Sequence, residues 1–289
     1  MGKIRLDGVS DMHIHAAPDI KERIGDDFEI AKICKNEGMR AIILKSHIEN
    51  TASRAYLVKQ IVPEIEVFGS IVLNTPVGGL NPVAAETALK LGVKEVWLPT
   101  LYSQATINKR GNPSGYVFKP NYYSDSNLGE TVLDKNGEIK NSCKEIIKLV
   151  KEYDVVLGTG HLSEKEIYSV VTFCKDINFS KVLITHPHWI VPNLNDKSLS
   201  ELVNLGAWVE FCAGNAFPIG YGSVDRVVKS LNIVGPDHCI ITSDAGTPKK
   251  QFPTEMLRTF IACLLSKEIK NDWIDAIAKH NPAKLLNVI

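Results

Sequence analysis

Two rhythms alternate along this chain: short apolar runs, and longer stretches with helical spacing of their apolar residues. The first run, Val9 to His15, predicts strand 1, and Phe28 to Asn36 follows as an amphipathic helix stopped by Gly38. Met39 to His47 predicts strand 2 and Ala52 to Ile61 a helix. Val67 to Asn74 predicts strand 3, with Asn81-Pro82 opening a helix that ends at Gly92, and Val93 to Pro99 predicts strand 4. The pattern then breaks over residues 101–139, rich in Gly, Asn, Pro, Ser and Tyr. Within that break, Thr131 to Ile139 predicts a β-hairpin turning at Asn136-Gly137.

Regularity returns with a helix over Ser142 to Tyr153, strand 5 over Val155 to His161, and a helix from Ser163 to Lys175 whose Glu166 completes a capping box. Lys181 to His188 is strand 6, Ser198 to Leu205 a helix, and Ala207 to Cys212 strand 7. Val224 to Leu231 is a helix, Cys239 to Asp244 strand 8, and Thr254 to Ser266 a helix, with Asp272 to Ala278 and Asn281 to Val288 closing the chain. Strands without a solvent-facing polar alternation predict an α/β fold, a parallel sheet covered by helices. Eight strand–helix units predict a (β/α)8 TIM barrel, with residues 101–139 as an inserted β-hairpin lid after strand 4. An open doubly wound sheet is the alternative, but no Gly-x-Gly-x-x-Gly loop follows strand 1. The 289 residues suit one barrel domain over 1–289.

Composition narrows the partners. Lys plus Arg and Asp plus Glu each number 33, so no basic field favours nucleic acid or an anionic membrane. No stretch has the apolar length of a membrane span, and no apolar signal core opens the chain. The six cysteines are scattered, without Cys-x-x-Cys, and several sit inside apolar runs, which predicts reduced thiols and a cytoplasmic protein. A small-molecule substrate and a homo-oligomeric assembly are the expected company.

Candidate chemistry gathers at the predicted strand ends, where barrels of this kind carry their active sites. Strand 1 supplies His13 and His15, strand 2 Lys45 and His47, strand 5 His161, strand 6 His186 and His188, and strand 8 Asp244. Six of the eight histidines lie there, a clustering that chance placement explains poorly. The period of two puts Asp11, His13 and His15 on one face, and likewise pairs Lys45 with His47 and His186 with His188. Imidazoles and a carboxylate suit a divalent metal: zinc first, then manganese, iron or nickel. Asp244 can bind the ion and also take the proton of water, while whichever of His186 and His188 stays off the metal can polarise a substrate oxygen. Lys45, His47 and Glu210 are the candidate substrate contacts, with packing or ion pairing as each one's alternative. Asp11 is placed behind a ligand histidine, orienting it. Tyr102, Tyr116, Tyr122 and Tyr123 are expected to pack the lid, and His238 and His280 to be structural.

The pieces Asp11-Met12-His13-Ile14-His15, Gly160-His161, Thr185-His186-Pro187-His188, Ser243-Asp244-Ala245-Gly246 and Asn281-Pro282-Ala283-Lys284-Leu285-Leu286 together resemble the amidohydrolase superfamily over essentially the whole chain. That resemblance implies a metal-dependent hydrolase with His13, His15, His161, His186 and Asp244 as ligands. One departure is clear: binuclear members bridge two ions with a carboxylated Lys or a Glu after strand 4 or strand 3. Here those strands end Leu98-Pro99-Thr100 and Leu73-Asn74. One ion is therefore expected ahead of two, with Lys45 a displaced bridge or an anchor for an anionic substrate. The implied reaction is hydrolysis of an amide, cyclic amide or lactone. The alternatives are a non-oxidative decarboxylase on the same site, a phosphoesterase of the polymerase and histidinol phosphatase type, and a barrel kept only as a binding module.

Overall fold

The computed structural model describes residues 4–113, 129–216 and 223–288. Its strands are all parallel and follow chain order: β1 (Ser10–Ile14), β2 (Ala41–Leu44) and β3 (Glu66–Phe68) in one sheet. A second sheet holds β4 (Ser70–Val72), β5 (Glu95–Trp97), β6 (Val156–Gly158), β7 (Val182–Ile184), β8 (Trp208–Cys212) and β9 (Cys239–Thr242). The strand expected over 67–74 is thus two short strands parted at Gly69. That glycine is pressed on the start of the helix Ala52–Ile61: a Cβ there would lie 2.5 Å from the Ala52 Cα. Thr51 and Ser70 stitch the break, each donating its hydroxyl to the Leu44 carbonyl at 2.7 Å. The edges β1 and β9 meet through one parallel bridge, Ile14 to Ala245. The continuous closed ladder of the expected barrel is therefore corrected to two parallel sheets.

Strand residues divide between two apolar clusters, which explains why no polar alternation was visible. Ile42, Leu44, Val96, Leu157 and Ile241 pack with helix residues such as Ile30, Cys34 and Val58. Met12, Ala41, Ile43, Val72, Trp97, Val156, Leu183 and Ile240 pack on one another and on Leu285 and Leu286, so this second cluster is the interior, plugged by the C-terminal helix. Asn281 ties that plug to the foot of β9, donating to the carbonyls of Pro236 (2.7 Å) and Cys239 (2.8 Å).

β1 departs from strict alternation. Asp11 aligns with Ile42 and Ile14 with Leu44, so three steps on β1 match two on β2, and a bulge lies between them. Met12 turns into the interior cluster, and Asp11 does not share a face with His13 and His15 as the period of two implied. Instead its Oδ1 accepts the backbone N–H of His13 (3.2 Å) and of Ser243 (3.1 Å), clamping the bulge to β9. It therefore fixes the backbone that carries the histidine rather than the imidazole ring.

In the region expected to be a lid, a helix over Gln104–Arg110, capped by Ser103, was not foreseen. The expected hairpin is reduced to one antiparallel bridge, Leu133 to Ile139, around Gly137 at φ +84°. Tyr116, Tyr122 and Tyr123 lie outside the described residues, and Tyr102 is buried. The capping box of Ser163 and Glu166 opens a helix over Glu164–Asp176, as its spacing predicts.

Candidate metal centre

His13, His15, Lys45, His47, His161, His186 and Asp244 line one cavity of about 180 Å³ at the C-terminal ends of the strands, with Leu101, Trp189, Gly214, Asn215 and Lys250. Local backbone geometry presents them. Asp244 (φ +48°) and His186 (φ +27°) both occupy left-handed conformations that non-glycine residues rarely take. Gly160 (φ +60°) lets the chain turn against the Leu98 carbonyl, 2.3 Å from where its Cβ would stand, and so delivers His161.

The tightest donor set is His13, His15 and Asp244. Asp244 Oδ1 lies 3.2 Å from His13 Nε2 and 3.4 Å from His15 Nε2. Two donors bound 2.0–2.1 Å from one tetrahedral ion stand about 3.3 Å apart, so these separations fit a shared ion. The protons tell the same story. His13 Nδ1 meets Glu210 Oε1 at 2.9 Å, and Glu210 Oε1 also accepts from Thr242 Oγ1 at 2.9 Å. A neutral His13 carries its proton on Nδ1 and turns a bare Nε2 lone pair to the Asp244 oxygen. A charged His13 turns its Nε2–H on the Lys45 ammonium, 2.9 Å away. A cation bonded to both Nε2 and Oδ1 removes the first conflict. The residues therefore fit a divalent metal ion.

Electrostatics sorts the rings. Burial and the Lys45 charge push the His13 pKa down, but Glu210 and Asp244 outweigh them and raise it to about 9. Burial, helped by neighbouring positive charge such as His13 and Lys45, holds His15 and His161 well below the ordinary histidine value and His186 at about 4, so these rings are neutral. Burial pushes Asp244 upward, yet His13 and His15 keep it ionised, well below the usual carboxylate range. His161 and His186, with ring centroids 4.9 Å apart, face the triad across the cavity. Among the described residues, neither joins a set of three donors within 4.8 Å.

A model of a family of unknown function, DUF6282, matches residues 8–210. The chain belongs to that family. No curated protein matches it. Its fold is that of amidohydrolase-superfamily structures. An amidohydrolase from Pseudomonas aeruginosa is 12% identical with a TM-score of 0.62, over 97% of this chain and 96% of that one. A putative 2-pyrone-4,6-dicarboxylic acid hydrolase from Pseudomonas putida is 13% identical with a TM-score of 0.62, over 99% of both chains. A 2,6-dihydroxybenzoate decarboxylase from Rhizobium is 11% identical with a TM-score of 0.56, over 98% of this chain and 99% of that one. The family match ends at Glu210, and so covers the ligand candidates of the first seven expected strands but not Asp244.

The remaining candidates separate. His188 turns away from this cavity: its Nε2 lies 3.0 Å from Ser230 Oγ, which donates to Asp196 Oδ1 at 2.7 Å. His47 Nδ1 pairs with Thr100 Oγ1 at 2.9 Å, and its ring stacks on His15 at 4.7 Å. Lys45 is fully buried, with Nζ 4.3 Å from the Trp97 ring centroid. Glu210 sits behind His13 and touches no part of the cavity, so its place is that of a partner to the imidazole, not a substrate contact. Several neighbours escaped the sequence. Cys212 Sγ lies 3.8 Å from His13 Nδ1, Asn215 Nδ2 donates to Asp244 Oδ2 at 3.2 Å, and Glu95 is buried with both carboxyl oxygens unpartnered. Only Glu95 left a trace, as a charge inside an apolar run.

Proposed function

We propose that this chain is a metal-dependent hydrolase that cleaves a C–N or C–O bond in a small amide, cyclic amide or lactone, using one divalent ion, zinc first, at His13, His15 and Asp244. The approach of Asp244 Oδ1 to two imidazole Nε2 atoms carries this reading. The ion would supply Lewis acidity, lowering the pKa of water toward neutral and polarising a carbonyl. The protein groups do the rest. Glu210 holds the His13 tautomer, and Asn215 fixes one Asp244 oxygen. Asp244, ionised throughout the neutral range, takes the proton of the attacking water and passes it to the leaving group. His186, kept neutral by burial, donates its N–H to the oxygen that gains charge.

A phosphoesterase needing three ions is not favoured: among the described residues the two donor triads, His13–His15–Asp244 and His13–Glu210–Cys212, share one imidazole. The test is metal content together with turnover of a lactone and cyclic-amide panel. A protein that holds no stoichiometric ion after loading with zinc or manganese contradicts the proposal. Asp244→Asn should lower turnover by about 10²–10⁴-fold, and a near-normal rate would remove Asp244 from the proton path. Release of carbon dioxide from a carboxylated aromatic, with no hydrolysis, moves the assignment to a decarboxylase.

A further inference from the structure

The cavity's charges are unequal. Asp244 is the one acidic side chain that lines it among the described residues, against two ammonium groups, Lys45 and Lys250. Asp244 faces the two imidazoles and is held by Asn215, so it is committed to the metal triad. Lys45 is committed as well, lodged at the floor between His13 Nε2 and the Trp97 ring. Lys250 is different. Its backbone N–H is fixed to the Thr247 carbonyl at 2.9 Å, and its Nζ donates one hydrogen to the Gly214 carbonyl at 3.1 Å. Among the described residues, two N–H groups remain without a partner on an ammonium held at the cavity wall beside Asp244, since a Cβ on Gly214 would stand 3.2 Å from Lys250 Nζ and 3.0 Å from the Asp244 carbonyl. Arg110, 5.6 Å from the centroid of the lining residue Trp189, adds positive charge on another side. A divalent ion bound through neutral imidazoles and one carboxylate leaves the pocket more positive still.

Resting on the hydrolase proposal, we infer that the substrate carries a carboxylate on the carbon that bears the leaving atom of its scissile bond, and that Lys250 seats it. Two free N–H groups match the two oxygens of a carboxylate. The partly buried ammonium makes that contact worth more than one in open water, about ten- to a hundredfold in affinity for a charge-assisted hydrogen bond. Lys250 is then the specificity-determining residue, and the metal triad acts on the neighbouring carbonyl.

The probe is a matched pair of lactones: γ-butyrolactone, and the same ring bearing a carboxylate on the carbon beside its ring oxygen. Binding of each to metal-loaded protein is measured by calorimetry, with ring opening followed in parallel. The carboxylated ring should bind about tenfold or more tightly, and the ratio should shrink as salt rises. Lys250→Met should collapse the ratio toward one, and Lys250→Arg should retain most of it. Equal binding of the pair, binding of neither, or a ratio that survives in Lys250→Met overturns the inference, the last because the carboxylate would then be held by the ion itself. The two proposals fail separately. Hydrolysis of both lactones without preference keeps the hydrolase and removes the Lys250 role, whereas selective binding without ring opening does the reverse.

Discussion

Replacing Glu210 by Gln should weaken metal binding by an amount that depends on pH, because the carboxylate acts on His13 in two opposed ways. Its Oε1, 2.9 Å from His13 Nδ1, fixes the tautomer that presents Nε2 and makes the ring a better donor. Loss of such a partner costs about 10–100-fold in metal affinity. The same negative charge, with Asp244, lifts the His13 pKa to about 9 against burial and Lys45. Below that value a proton must leave before Nε2 can bind a cation. From pH 9 to pH 7 this competition grows by two units, about 2.7 kcal/mol or a hundredfold. His15, His161 and His186 are already neutral and add no such dependence. Wild-type affinity should therefore rise about tenfold per pH unit between 7 and 9. In Glu210→Gln the His13 pKa falls and the slope flattens. The deficit of the variant is then largest at pH 9, about 10–100-fold, and smaller at pH 7. Competition with a chromogenic chelator at pH 7, 8 and 9 measures this. Calorimetry in buffers of different ionisation enthalpy counts the protons released. Parallel affinity lines, or a larger deficit at pH 7 than at pH 9, would refute the assigned role of Glu210.

Two further substitutions probe the surroundings. His188→Ala should leave metal affinity unchanged and lower stability by about 1–3 kcal/mol, since it strips Ser230, whose hydroxyl donates to Asp196, of its buried imidazole partner; a marked loss of metal affinity on titration would return His188 to the site. Glu95 is raised well above its ordinary value by burial, reinforced by the Glu210 charge, so its contribution to stability is fully present below the unfolded pKa and is lost as pH rises through the folded one. Glu95→Gln should accordingly gain on the wild type in urea unfolding as pH goes from 5 to 8, and a difference that stays flat with pH would show that Glu95 is ionised in the fold.

What the sequence displayed, and what it hid, follow from the same geometry. Strand ends were legible because a polar residue closing an apolar run is conspicuous, and so His13, His15, Lys45, His47, His161, His186 and Asp244 were all found and all share one cavity. Orientation after a strand end was not legible. His186 and His188 differ by two residues and should share a face, yet β7 ends at Ile184 and the chain turns at His186, so the period of two no longer applies. The β1 bulge likewise has no marker in Asp11-Met12-His13: it is set by pairing with β2 on one side and by the Asp11 clamp to Ser243 on the other. The helix over Gln104–Arg110 was missed because its only apolar residues, Ala105 and Ile107, stand two apart rather than at helical spacing. Asn215 and Lys250 were missed because nothing local announces that a loop will fold over a pocket.

The strand-4 position joins these points. Leu98-Pro99-Thr100, where a bridging ligand of a two-ion site would stand, holds neither a carboxylate nor a lysine. The carboxylate of that strand is Glu95, the first residue of β5 rather than the last, buried near enough to Lys45 and Glu210 to feel both charges. That acid does not line the cavity. Lys45 meanwhile presents its ammonium to His13 Nε2, the same nitrogen the triad needs. A cation held by His13, His15 and Asp244 would stand close to the Lys45 ammonium, which also feels the charges of Glu210, Asp244 and Glu95. Burial already pushes the Lys45 pKa below the ordinary lysine value, against the pull of the Glu210 and Asp244 charges, and so eases the loss of that proton when a cation is bound beside it.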